Sequence, residues 1–366
     1  MALDRLLNVA RKEFSDQITS RRFIIILALF LAISAIGIHI GIENYNTLLD
    51  SYNQQLQYMQ DSEAPYAGWM PEKPSIMLVF SAMMSYMVSL GSVLAIATGF
   101  DLVSREKETR SLKTLLSHPV YRDEIINGKA LGGIAALGFA MVLALAISFA
   151  MLLIFSIVPT VEESLAILVF GAVSLLFLLG YFAVALTMST VAPESGSALI
   201  YTLVIFVLVS SLIPVLGMAI GNVFVGDPPQ PPQSTPMVVR SDGGGGYFTS
   251  TSSQSVVHVG ADDPAWQQYE EDRKRYVERQ ALVYDISYIL SPQMNYAVVS
   301  MAVTNPRVAP MISSPYTYDY TQASTAETPG LADALAQVWK NLAALIVFPS
   351  VFFAAAYVKF MRMDIR

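Results

Sequence analysis

The sequence has no cysteine and few charges for its length. The first absence rules out disulfides, thiolate metal sites and cysteine nucleophiles, so any part outside the cell must hold together by packing. The second is more telling. Only 14% of the 366 residues are Asp, Glu, Lys or Arg, where a soluble protein carries roughly a quarter. Hydrophobic residues make up 54%, and the mean hydropathy is +0.49. The length alone would allow two or three soluble domains. However, the apolar residues come in long unbroken blocks, which points to bilayer spans instead of a water-soluble core. A net charge of -7 gives no support to nucleic-acid binding.

Six blocks lack Asp, Glu, Lys and Arg: Phe23–Ile42, Ile76–Phe100, Ala130–Val158, Leu165–Met188, Ala198–Asn222 and Asn341–Val358. Each is long enough to cross about 30 Å of hydrocarbon as a helix. His39 lies near the end of the first. That first block is read as a retained helix, because its apolar run is long and no small-residue cleavage site follows it. The expected fold class is an all-α polytopic membrane protein with six transmembrane helices, an N-terminal interfacial helix and a small external domain between spans five and six.

Charge distribution orients the spans. Fourteen of the 22 Lys and Arg fall in the N-terminus, around 101–129, and in the C-terminal tail. The remaining eight lie on the opposite side, mostly far from any span. By the positive-inside rule this places both termini in the cytoplasm of a multi-pass cell-membrane protein.

Between the spans the chain divides into four parts. Residues 1–22 form an amphipathic cytoplasmic helix, with Leu3, Leu7, Ala10, Phe14 and Ile18 on one face. Residues 23–222 hold spans one to five and a cytoplasmic loop at 101–129; within this region 43–75 reads as a polar external loop. Residues 223–340 are long enough for an external domain. It opens on the extended linker Asp227-Pro-Pro-Gln-Pro-Pro-Gln233. Two short strand-like runs, Met237–Arg240 and Tyr247–Ser250, then flank the turn Gly243–Gly246. A helix is expected from Pro264, capped by Asp263 and running to Leu290, where Ser291-Pro292 breaks it. The apolar stretch Met294–Val303 would dip back against the membrane. Residues 341–366 are the sixth span and a cytoplasmic tail. Pro214 and Pro349 are expected to kink spans five and six.

The cytoplasmic loop carries the most information. It runs from a mixed-charge start (Arg105, Glu106, Glu108) to an apolar edge (Leu112, Leu115, Leu116), a break at Pro119, and a second short helix over Arg122–Asn127 that includes Glu124. Asn127-Gly128 reads as a turn. Charges of both signs beside leucines suit docking of a soluble partner; they also suit a solvated loop that only fixes topology.

This loop resembles that of type-2 ABC exporter permeases, in particular the branch containing copper-enzyme maturation and gliding-motility permeases. The residues that carry the likeness are Arg105, Glu106 and Glu108, then Leu115-Leu116-Ser-His-Pro119-Val-Tyr-Arg122, then Glu124 and Gly128-Lys129. Arg110-Ser111 departs from the family's usual Gly-Thr. The N-terminal helix, six spans and late external excursion are similar as well. The resemblance implies that Glu106, Glu108, Leu115, Leu116 and Arg122 couple the spans to a cytoplasmic ABC ATPase subunit. It further implies a second permease chain, either identical or related. An external accessory protein is a further candidate partner.

The chain would hold no cofactor of its own, with ATP and Mg on the ATPase. Gly128-Lys129 has no glycine five positions earlier and no Ser or Thr after it, so it is not a phosphate-binding loop. His39, His118 and His258 are too scattered for a metal site. Met77, Met83, Met84 and Met87 on span two read as packing residues, and Tyr316, Tyr318 and Tyr320 as interfacial aromatics. A proton-coupled carrier would need an ionisable group at mid-membrane depth, which no span supplies. A sodium-coupled carrier using backbone carbonyls and a non-transporting anchor or assembly subunit stay open as alternatives. An intramembrane enzyme lacks a base in any span.

Overall fold

A computed structural model describes residues 2–61, 73–110, 121–232, 264–308, 311 and 329–363. Among these, every regular element is helical, and six helices are long and apolar enough to cross a membrane. The strand-like runs, the glycine turn, Asp263 and the tyrosine triplet of the sequence reading lie outside the described residues.

Span four, Val161–Val191, is the axis of the bundle, packed against spans two, three, five and six. Its start is fixed by a reciprocal cap: Thr160 accepts from the backbone of Glu163, while the Glu163 carboxylate accepts from the Thr160 amide at 2.8 Å. Its middle is filled by buried Phe170, Phe177 and Tyr181. Thr187 donates to the Phe352 carbonyl of span six, Trp339–Met361, at 2.7 Å.

Span one is far longer than its apolar block. It is one helix, Arg21–Asp61, of 41 residues, which at 1.5 Å per residue reaches about 60 Å, roughly twice the hydrocarbon thickness. The expected polar loop over 43–75 is therefore helical as far as residue 61. Two features explain this. No proline or glycine interrupts 42–61. In addition, Ile42, Tyr45, Leu49, Tyr52, Leu56 and Met59 recur at alternating three- and four-residue steps and are each less exposed than their neighbours, so the helix keeps one apolar stripe beyond the bilayer.

Spans one and two meet closely. A Cβ added at Gly37 would lie 2.6 Å from the Tyr86 ring, and one at Gly41 would strike the Val79 carbonyl. This Gly-x-x-x-Gly spacing lets two backbones approach as side chains would not. Met77, Met83 and Met87 of span two are buried, with Ser148 of span three donating to the Met83 sulfur at 3.8 Å. They are packing residues.

Both proline-bearing helices keep going. Span five runs over 195–225, with a π-helical turn at Leu208–Leu212 just before Pro214. Proline has no N–H to donate backward, and the widened turn absorbs that missing bond. Pro264–Ile289 is the expected helix; it folds back along span five, with Ser287 seated directly against Gly217. Ser291 then caps Pro292–Thr304, accepting from the Met294 amide. This short helix is buried against span four, where the Tyr296 ring stacks on Phe177 at 4.5 Å and its hydroxyl meets Ser174 at 2.9 Å.

Span three, Arg122–Ile154, corrects one detail of the loop. There is no turn at Asn127-Gly128, because the helix passes straight through. Gly128 and Gly132 instead make room for the N-terminal helix, Ala2–Thr19: added Cβ atoms would fall 2.6 Å from Val9 and from Glu13 respectively. The N-terminal helix thus docks on span three as well as being amphipathic.

Candidate functional site

The ends of spans three to six nearest the N-terminal helix converge on the loop after span two. That loop starts with Ser104–Glu108, a short helix whose first amides are held by Ser189 at the end of span four. The Ser189 hydroxyl oxygen accepts from Val103 N and Ser104 N, both at 2.9 Å. Three consecutive charged residues then reach three different elements.

Glu106 points inward. Its carboxylate lies 2.8 Å from Lys129 Nζ on span three, and the same ammonium lies 2.8 Å from Glu13 of the N-terminal helix. Lys129 is 2% exposed. A buried ammonium is tolerated only when its charge and donors are answered, and here two carboxylates from two other elements answer them.

Lys107 turns the other way and donates to three backbone carbonyls at the end of span four: Thr190 at 2.6 Å, Ala192 at 3.0 Å and Ser189 at 3.3 Å. Those carbonyls have no intrahelical donor and carry the negative end of the helix dipole, so a cation is the matching cap.

Glu108 caps the start of span five, accepting from Ser195 Oγ at 3.0 Å and Ser195 N at 3.3 Å. There the dipole is positive and the amides are unpaired, so a carboxylate matches.

At the far end of the loop, Arg122 donates to the Met363 carbonyl at 2.9 Å and to that of Met361 at 3.5 Å, closing span six. Glu124 accepts from the Tyr121 amide at 3.1 Å and pairs with Arg5 at 3.2 Å, while Arg5 also sits over the Tyr121 ring.

Of the sequence-selected residues, the structure thus brings Glu106, Glu108, Arg122 and Glu124 into one belt of span-end contacts. Arg105 lines an adjacent cavity. Leu112, Leu115, Leu116 and Pro119 lie outside the described residues. Sequence reasoning missed Lys107, Glu13, Gln17 and Ser189. Lys107 had a signal, since it interrupts two glutamates at the mouth of a loop, but nothing local says which helix end it reaches. Gln17 donates to the Thr98 carbonyl at 3.0 Å, tying the N-terminal helix to span two. The Gly128-x-x-x-Gly132 spacing was the legible sign of a helix docked on span three.

No group of three or more His, Asp or Glu able to hold a metal occurs among the described residues. His39 pairs with Glu43 and leans on Phe155, and the other two histidines lie outside them.

The comparisons agree with this architecture. Residues 7–365 match the family described as ABC-2 family transporter protein, and the chain belongs to that family. Over 195 residues it is 27% identical to the "Probable ABC transporter permease protein NosY" of Pseudomonas aeruginosa, covering 52% of this chain and 61% of that protein. The chain therefore matches less than two thirds of that relative's length.

Proposed function

We propose that this chain is the permease subunit of an ATP-driven exporter, and that the loop at 101–129 transmits the movement of a separate cytoplasmic ATPase to the spans. The observation that carries this is the set of contacts made by Glu106, Lys107, Glu108 and Arg122. From one short stretch they hold the N-terminal helix and the cytoplasmic ends of spans three, four, five and six. A push on such a loop moves several helix ends together, because short charged contacts and capped helices behave as rigid connections.

The parts divide as follows. Leu112, Leu115 and Leu116, with the break at Pro119, form the apolar edge that meets the ATPase. Glu106, Lys107, Glu108 and Arg122, which contact the helix ends, convey the motion. ATP and Mg are bound by the ATPase, which closes as a dimer beneath two permease chains, either identical or related. Both termini are cytoplasmic, as the Lys and Arg distribution requires. Residues 223–340 form the external unit that receives or hands over cargo. The extension of span one to Asp61 and the 26-residue external helix favour an accessory protein outside as the recipient of movement or cargo.

The division of labour sets the experiment. Reversing Glu106 or Glu108 breaks internal contacts as well as any docking contact, so the ATPase interface is tested at the leucines. The Leu115→Asp/Leu116→Asp variant should insert normally and lose the co-purifying ATPase in mild detergent. Retention of a stoichiometric ATPase by that variant would sink the docking assignment. Absence of any ATPase from the unaltered chain would favour a sodium-coupled carrier or an anchoring subunit.

A further inference from the structure

A cavity of about 550 Å³ opens at the cytoplasmic face between the N-terminal helix, the start of span one and the root of the loop. Its level in the membrane follows from its wall. Arg21, Arg22 and Phe23 begin span one, where the apolar block gives way to charge. Cationic residues at such a boundary lie at the depth of lipid phosphates. Phe23, Ala97 and Leu102 give the wall an apolar part. The wall thus combines charged side chains with the largely buried Phe23 and Leu102, at the plane where a phospholipid changes character.

Its charges divide unevenly. Four carboxylates line it, and each already has a cation. Glu13 and Glu106 share Lys129, Asp101 pairs with Arg22 at 3.3 Å, and Asp16 pairs with Lys12 at 3.7 Å. Arg21 and Arg105 also line the cavity and form no ion pair among the described residues; both are exposed to it and to solvent. Asp101 attracts Arg105 only at longer range. Among the described residues, no carboxylate answers the planar donor forks of these two guanidiniums. A phosphate oxygen pair is the group such forks take in bidentate fashion.

We infer that this cavity binds the phosphate of an anionic phospholipid headgroup from the cytoplasmic leaflet, held by Arg21 and Arg105 with the glycerol and acyl root against Phe23 and Leu102. Arg105 is the residue immediately before Glu106. Bound lipid therefore braces the root of the loop and links its position to leaflet composition. The lipid site does not depend on which ATPase docks, nor on the chain being an exporter.

The test uses the purified full-length chain in mild detergent, with phosphatidylglycerol or phosphatidylcholine added and retained lipid counted by native mass spectrometry. The unaltered chain is expected to retain phosphatidylglycerol selectively. Arg21→Gln/Arg105→Gln should weaken that retention by roughly tenfold or more, given two lost charge-assisted contacts. Arg11→Gln, on the N-terminal helix and outside the cavity, should leave it unchanged. Equal retention of both lipids, or equal retention by the double variant, overturns the inference. Displacement of the lipid by millimolar inorganic phosphate or ATP also overturns it, by moving the site to a soluble ligand. Should the double variant fail to fold, a photoactivatable phosphatidylglycerol on the unaltered chain decides instead. Crosslinks confined to 12–23 and 97–109 support the site, and crosslinks elsewhere refute it.

Discussion

Lys129 and Glu106 meet at 2.8 Å although 23 positions and a change of helix separate them, and Glu13 approaches the same ammonium at the same distance. One buried cation thereby joins the N-terminal helix, the loop and span three. The contact is internal, so its first consequence is stability.

Replacing Lys129 with Met removes the buried ammonium shared by Glu13 and Glu106, and leaves Glu13 only the exposed Lys12 at 3.9 Å. The expected loss is about 3–5 kcal/mol, the usual result of breaking a buried ion pair from one side. Thermal unfolding of the purified chain measures it. Adding Glu13→Gln and Glu106→Gln to Lys129→Met should recover much of the loss, since no uncompensated charge then remains. A single variant as stable as the parent would show that the cluster is solvated.

Gly132→Val should release the N-terminal helix. Its Cβ would lie 2.6 Å from that of Glu13 and 3.0 Å from the Ala10 carbonyl, so the two helices must separate. The absence of cysteine makes the readout clean. A single Val9→Cys reporter should react slowly with a maleimide in the parent and several-fold faster beside Gly132→Val. Unchanged reactivity would mean that the helix tolerates the added bulk in place.

Lys107→Met removes the cap from the end of span four without disturbing the apolar edge of the loop. The complex with the ATPase should still assemble and hydrolyse ATP, while movement of the spans falls. Two spin labels on introduced cysteines, at the outer ends of spans one and five, report this directly. The parent should change its label separation on ATP binding. The variant should change less, and an equal change would remove Lys107 from the transmission path.

Orientation has its own check. Reporter fusions active only in the cytoplasm should work after residue 366 and within 111–120, and fail within 233–263. Activity within 233–263 would invert the topology.

Much of the fold was legible because burial in lipid imposes a one-dimensional rule. Charge-free blocks near twenty residues marked all six spans, and the break at Ser291-Pro292 appeared where the chemistry of proline requires it. Helix boundaries were less legible. Span one continues to Asp61 because a stripe at three- and four-residue steps outlasts the hydrophobic block, and hydropathy averages do not register a stripe. Asn127-Gly128 reads as a turn by local propensity, yet Gly128 serves helix packing against Val9.

The sequence by itself determined that the chain lives in a bilayer, where the six spans found among the described residues lie, and which loop bears the dense mixed charge. These depend on composition over short windows, where the cost of exposing or burying a group is set by the solvent alone. The tertiary structure decided what those charges do. Glu106, Lys107 and Glu108 are adjacent in sequence, yet they answer a buried ammonium, a set of unpaired carbonyls and a set of unpaired amides on three different elements. Their partners are fixed by where helix ends meet in space, and no spacing along the chain encodes that.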